Sequence, residues 1–361
     1  MDGVGWIPSR SPIPDPRSLT RIPVSIKSLR DVLKYSLKRG ALIAAANWPV
    51  IIVQEIADTL FKLLVAVPLI GGIFLVALVL GAEPVALMSL GWRDLAATIV
   101  ASLISRPVVL AAFLGALGVV VIGGSLFVFL FKAGTVSVLV RGDSSAGAIE
   151  RPPLHFSIVM TASAFSLEAF EAGARLLFPR YARLGIALMT VYFVSGSMYL
   201  GAVLASRSAG DSWGMTALLT AAFVSWITIL NFLYLLTQIV IAAENCSVAA
   251  AMRRVVQFLR RARGPVAAVF LVVLAIVVFA TGASLIATAA LGLISFVPLL
   301  GLTVLPLQLG AWLFRGLVFQ YVALSSLGAY LKLYRSTAMA TPGVVFADWV
   351  AESGHRDTPL R

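Results

Sequence analysis

Residues 41–81, ALIAAANWPVIIVQEIADTLFKLLVAVPLIGGIFLVALVLG, decide how this chain is threaded. As a single helix the stretch would run about 60 Å at 1.5 Å per residue, twice what one bilayer crossing needs. Gln54, Glu55, Asp58 and Lys62 interrupt it, and such groups are costly at bilayer depth. It therefore holds either two crossings, or one crossing preceded by a helix at the membrane interface.

The rest of the chain arbitrates. Sixty per cent of the residues are hydrophobic and the mean hydropathy is +0.98, so lipid rather than water solvates most of this protein. Apolar runs at 107–131, 183–205, 215–243, 265–294 and 302–331 are each long enough to cross. With six crossings, one side receives the basic residues of 1–40, of 132–183 and of 253–263, together with Lys332 and Arg335. The other side receives only Arg93, Arg106 and Arg207. Seven crossings would split the basic segments between the two sides. Lys and Arg accumulate in cytoplasmic loops, so six crossings with both termini cytoplasmic are expected. The first then lies at about 63–81, where Lys62 reaches back to the interface, and 41–59 becomes a shallow or re-entrant helical segment.

The expected fold is all-α: a six-span membrane domain over 27–335, between a disordered Pro/Arg-rich tail at 1–26 and a second cytoplasmic tail at 336–361. A net charge of +12 is not a nucleic-acid signature here, because charged residues make up only 12% of the chain and sit between apolar runs. The single cysteine, Cys246, excludes an internal disulfide and a cysteine-based metal site. His155 and His355 lie too far from the apolar runs to ligate a pigment inside the membrane. No cofactor is expected. The polar stretch 6–26 before the first apolar run is unlike a cleavable signal peptide.

Each pair of crossings is preceded by an amphipathic, basic-ended segment: 28–40, 155–183 and 247–263. The first and third share a Ser start, apolar residues at helical spacing, a basic cluster and a Gly. This reads as a threefold repeat of interfacial helix plus transmembrane hairpin. The connections on the other side, 206–214 and 295–299, are short. Only 82–106 is sizeable there, and 94–105 reads as a further short amphipathic helix.

The fourth span runs into Ile241-Ala242-Ala243-Glu244-Asn245-Cys246-Ser247-Val248 and then Ala251-Met252-Arg253-Arg254, and the second ends in Lys132-Ala133-Gly134. In these features the chain resembles the six-span membrane domain attached to some bacterial glycerophosphodiester phosphodiesterases, and their stand-alone relatives. The resemblance implies a bacterial cytoplasmic membrane. The soluble phosphodiesterase domain with its metal-binding carboxylates is absent, so that activity is not implied.

Arg315 lies within the last span between Gln308 and Gln320. An unpaired Arg at the membrane centre costs about 2.5–3.5 kcal/mol on insertion scales, so it is expected to face the bundle interior with a partner. It reads either as an anion or lipid-headgroup site or as a structural ion pair, with Asn231 and Gln238 of the fourth span as candidate partners. Asn231 and Gln238 also fit plain interhelical hydrogen bonding. Glu55, Asp58 and Lys62 share one helical face, and Asp58–Lys62 is a favourable i,i+4 pair; they read as a cation or proton site or as self-satisfied interfacial charges. Gly115, Gly118, Gly123 and Gly124, and Ser195-Gly196-Ser197, read as close-packing faces, since no strand precedes them to make a phosphate loop. Arg253, Arg254, Arg260, Arg261 and Arg263 are expected along anionic lipid headgroups.

No catalytic motif of the HExxH, GxSxG or triad type occurs. The expected role is non-enzymatic: a scaffold, assembly factor or partner subunit that engages lipid, other membrane subunits or its own copies, and no nucleic acid. The alternative is a transporter or lipid-handling protein with its site around Arg315.

Overall fold

A computed structural model describes residues 26–80, 104–150, 156–208, 213–295 and 301–339, with isolated positions between 91 and 101. The two tails, His155, His355 and most of 82–103 lie outside the described residues. All the regular structure described is helical: α1 (Ile26–Ala46), α2 (Trp48–Leu80), α3 (Pro107–Ser145), α4 (Phe156–Met160), α5 (Leu167–Ser208), α6 (Trp213–Glu244), α7 (Val248–Arg261), α8 (Arg263–Ser295) and α9 (Gly301–Met339). Five of these, α3, α5, α6, α8 and α9, are long and apolar enough to cross a membrane.

The stretch 41–81 resolves into two helices that meet at Asn47. That side chain is buried and saturated: its Nδ2 donates to the carbonyls of Ile43 (3.0 Å) and Ala162 (2.8 Å), and its Oδ1 accepts from the Ala164 amide at 2.8 Å. Pro49 follows in the first turn of α2, where its missing N–H is harmless. The expected shallow or re-entrant 41–59 segment is therefore divided: 41–46 finishes α1, and Trp48 begins a helix unbroken to Leu80.

The second amphipathic segment also departs from expectation. It is not a separate interfacial helix, because residues 167–183 run straight into the span within the 42-residue α5. Likewise α3 continues to Ser145, well past the end of its apolar run. At 1.5 Å per residue its 39 residues cover about 58 Å, roughly twice the hydrocarbon thickness. In α3 no proline interrupts the continuation past the apolar run, and in α5 the helix continues through Pro179.

These extensions create the core. Buried side chains cluster at the basic ends of the helices, where Tyr181, Leu236, Ile239, Ile241, Val255 and Tyr330 pack together. A second cluster joins Ile43, Val50, Val138 and Ile149. The opposite halves present large apolar groups outward, such as Val119, Phe193, Phe279 and Phe314.

The longest contacts run between α3 and α5 and between α1 and α9. Both use glycine. Phe170 packs on Gly134, Ser137 on Gly173 and Phe129 on Gly185, while Gly40 and Gly328 let the α1 and α9 backbones approach directly. Only Gly124 of the expected small-residue faces behaves this way, receiving the Phe61 ring; Gly115, Gly118, Gly123 and Gly196 face open space. Spacing marked a stripe of small residues, but only the neighbour's position decides which of them is a contact.

The third amphipathic segment does form its own helix. Ser247 caps α7 by accepting from the Ala250 amide, and Asn245 turns the chain with a positive φ of 47°, a conformation Asn tolerates. Ala251, Val255 and Phe258 are buried, the last edge-on to Tyr334 at 5.4 Å. Ala262, not Gly264, forms the corner into α8.

Candidate functional site

The face of α2 that carries Glu55, Asp58 and Lys62 meets α9 at the turn that carries Arg315. Two groups of polar residues, read separately in the sequence, thus line one cleft of about 380 Å³ with Thr281 of α8, Trp312, Phe319 and Gln320. Gly316 makes the approach possible: a Cβ there would lie 1.9 Å from Glu55 Oε1. Glu55 is 6% exposed and accepts a hydrogen bond from the Thr59 hydroxyl at 3.3 Å.

The charges in this cleft are unevenly satisfied. Lys62 Nζ and Asp58 Oδ2 pair at 2.6 Å, and the same ammonium lies 6.0 Å from the Trp312 ring centre. Among the described residues, neither Glu55 nor Arg315 has an ion-pair partner within 4 Å. Arg315 lies over the Phe319 ring at 5.6 Å and is exposed along the cleft wall. It is not buried in the bundle with a partner, as expected from the sequence, because α9 turns that side toward an open groove. A carboxylate and a guanidinium therefore face one cavity without neutralising each other.

The remaining candidates are elsewhere. Asn231 Oδ1 accepts from the Tyr192 hydroxyl at 2.6 Å, and its amide donates to Ile227 O, so it ties α6 to α5. Gln238 is buried in the basic-end core, where its backbone carbonyl accepts from Tyr181 at 2.9 Å. Gln308 is exposed on α9. In the basic helix, Arg254 pairs with Glu244, which also accepts from the Tyr334 hydroxyl, and Arg180 donates to Asn245. Arg253, Arg260, Arg261 and Arg263 are exposed.

One cluster was not foreseen. Arg39 of α1 is 5% exposed and donates from Nε to Asp143 Oδ1 at 2.5 Å and from an Nη to Glu150 Oε2 at 2.7 Å. Arg335 of α9 also pairs with Asp143, and Lys332 reaches Glu150 at 3.2 Å. Burial works against the charge on Glu150, but its hydrogen bonds and the Arg39 and Lys332 partners outweigh it and hold the carboxyl below the ordinary range. The signal lay in the sequence: Asp143 and Glu150 are isolated acids in a basic segment. Their partners lie on helices far away in the chain, and in the sequence they count only toward the basic side.

Comparison of the chain with family models, with curated proteins and with solved structures finds no match.

Proposed function

We propose that this chain is a six-span protein of a bacterial cytoplasmic membrane, three hairpins with an amphipathic segment before each and both termini on the basic side. The pairwise packing of α2 with α3, α5 with α6 and α8 with α9 supports the hairpins, and the charge asymmetry supports the orientation. In a Cys246→Ser background, a membrane-impermeant maleimide applied from outside should label Ser208→Cys and leave Ser144→Cys unmodified. Labelling of Ser144→Cys from outside overturns the arrangement.

Within that frame the protein is a non-enzymatic lipid-handling component whose α2–α9 cleft takes a zwitterionic phospholipid headgroup. The observation that supports this is the pairing of an ion-unpaired, buried Glu55 with an ion-unpaired Arg315 across one cavity. Ionisable groups within a membrane bundle are costly and mark substrate pathways. A guanidinium recognises a phosphate through parallel hydrogen bonds, and a carboxylate accepts from a primary ammonium. Phosphatidylethanolamine offers both charges on one small headgroup; the trimethylammonium of phosphatidylcholine has no N–H to give.

Native mass spectrometry of the detergent-purified protein, offered phosphatidylethanolamine or phosphatidylcholine, tests the reading. Phosphatidylethanolamine should be retained preferentially, and Glu55→Gln and Arg315→Gln should each weaken it about tenfold or more. Equal retention by the variants, or no retention by the wild type, favours a scaffold or partner-subunit role with a purely structural cleft.

A further inference from the structure

A second concavity lies where α6, α7 and α8 meet, with a volume of about 430 Å³. Its walls come from Ile229 and Phe232 of α6, Val256 and Leu259 of α7 and Phe270 of α8, and it is bordered by Arg260 and Arg263. Phe232 and Phe270 meet edge to face at 5.2 Å, and the far side of Phe232 rests on Tyr330 at 5.5 Å, which fixes one wall. In the structure Val256 remains 40% exposed, because the residues that α7 buries are Ala251, Val255 and Phe258.

The two arginines share with Arg253 a lack of any carboxylate partner among the described residues, but unlike Arg253 they border this groove. Arg39, Arg254, Lys332 and Arg335 have carboxylate partners, whereas Arg260 and Arg263 have none among the described residues. They straddle the Ala262 corner, where an interfacial helix becomes a span. An apolar slot that begins at such a corner and continues along the first turns of α8 passes from headgroup depth into hydrocarbon.

We propose that this groove is a binding site for an anionic phospholipid of the basic-side leaflet, with one acyl chain in the slot and the phosphate between Arg260 and Arg263. The volume lies within the range of small-molecule sites, about 300–1,000 Å³. Charge complementarity selects the occupant: two unpaired guanidinia beside an apolar wall match a lipid that carries net negative charge, and anionic lipids concentrate on the cytoplasmic leaflet. A partner protein helix would need acidic side chains placed at this corner to meet the same arginines, whereas every anionic phospholipid brings its phosphate to headgroup depth. The site is separate from the α2–α9 cleft and uses none of its residues, so either assignment can fail alone.

The full-length protein in detergent is offered phosphatidylglycerol, phosphatidylcholine, or glycerophosphoglycerol, which has the same headgroup without acyl chains. Bound lipid is read by native mass spectrometry and thermal stability by intrinsic fluorescence. Phosphatidylglycerol should be retained and should raise the melting temperature, and Arg260→Gln with Arg263→Gln should weaken it about thirtyfold. Val256→Trp or Ala267→Trp, which fill the slot and leave both charges in place, should also lose it. Arg253→Gln, which removes an exposed charge outside the groove, should change retention less than twofold. If Arg253→Gln costs as much as the groove variants, the arginines act as a diffuse basic surface and the site does not exist. Binding of glycerophosphoglycerol as strong as that of the lipid leaves an anion site without an acyl slot and overturns the proposal. So does the retention of phosphatidylglycerol by the tryptophan variants at the wild-type level.

Discussion

Replacing Arg39 by alanine should destabilise the protein by about 3–5 kcal/mol, because it removes the buried cation that two buried carboxylates share and leaves them only the more exposed Arg335 and Lys332. Arg39 has a 6% exposed side chain and bridges Asp143 and Glu150, whose side chains are 2% and 9% exposed. Its guanidinium also donates to the backbone oxygens of Asp143 and Gly147, at 2.8 and 2.5 Å, so one side chain clamps α1 to α3 and to the turn that follows it. Arg175 provides the comparison: it too pairs with a carboxylate, Glu171, at 2.5 Å, but its side chain is 77% exposed. Arg175→Ala should cost no more than about 0.5 kcal/mol, as for other solvated i,i+4 pairs. Denaturant unfolding of the two variants in the same micelle decides the matter, and equal midpoints would remove the buried network from the account of stability. The pH dependence follows in sign. The Glu150 carboxyl is held below its ordinary range in the folded protein, so the network's contribution is complete above the usual glutamate value, about 4.3. That contribution is lost as pH falls through the lower, folded value. An acid titration should therefore show a loss of stability in the wild type that is largely missing from Arg39→Ala.

That network marks the boundary of what the residues disclose by themselves. Apolar length identified the five helices that are long and apolar enough to cross a membrane, since hydrophobic run and span share one physical cause. It placed their ends poorly at 131 and 183, because helix continuation beyond the membrane depends on the absence of a breaker and on what packs there. Phe170 on Gly134 and Ser137 on Gly173 hold α3 and α5 together beyond their apolar runs, and no periodicity within either helix announces the pairing. The candidate cleft was half legible. Helical spacing put Glu55, Asp58 and Lys62 on one face, and the cost of an intramembrane Arg singled out Arg315. Their convergence depends on the crossing of α2 and α9, which Gly316 permits and which no local pattern encodes. Asn231 illustrates the converse: its spacing from Gln238 suggested a shared partner, but Tyr192 of the neighbouring α5 takes it. Charge type read badly as pairing, because Arg39 and Arg254 count toward the basic side whether or not an acid waits for them.

Gly40→Ala should be destabilising by about 1–3 kcal/mol, even though alanine is the better helix former by about 1 kcal/mol. The added Cβ would lie 2.2 Å from the carbonyl oxygen of Ser325 and 2.6 Å from the amide nitrogen of Ala329. Both neighbours are backbone, so no rotamer change can make room, and α1 and α9 must separate. The reverse approach is equally tight: a Cβ on Gly328 would lie 2.8 Å from the Gly40 Cα. Separation propagates at once to the adjacent Arg39, whose acceptors lie on α3 and in the turn after it, so the loss should exceed that of an isolated overpacking. Gly118 supplies the opposite case, a glycine within α3 with nothing inside 4 Å of its Cβ position. There Gly118→Ala should gain up to about 1 kcal/mol from backbone propensity alone. Thermal melting of the two variants beside the wild type should therefore move in opposite directions. A Gly40→Ala protein that melts at or above the wild-type temperature would show that α1 does not dock on α9 at this register. The Arg39 network, which depends on that docking, would then have to be abandoned with it.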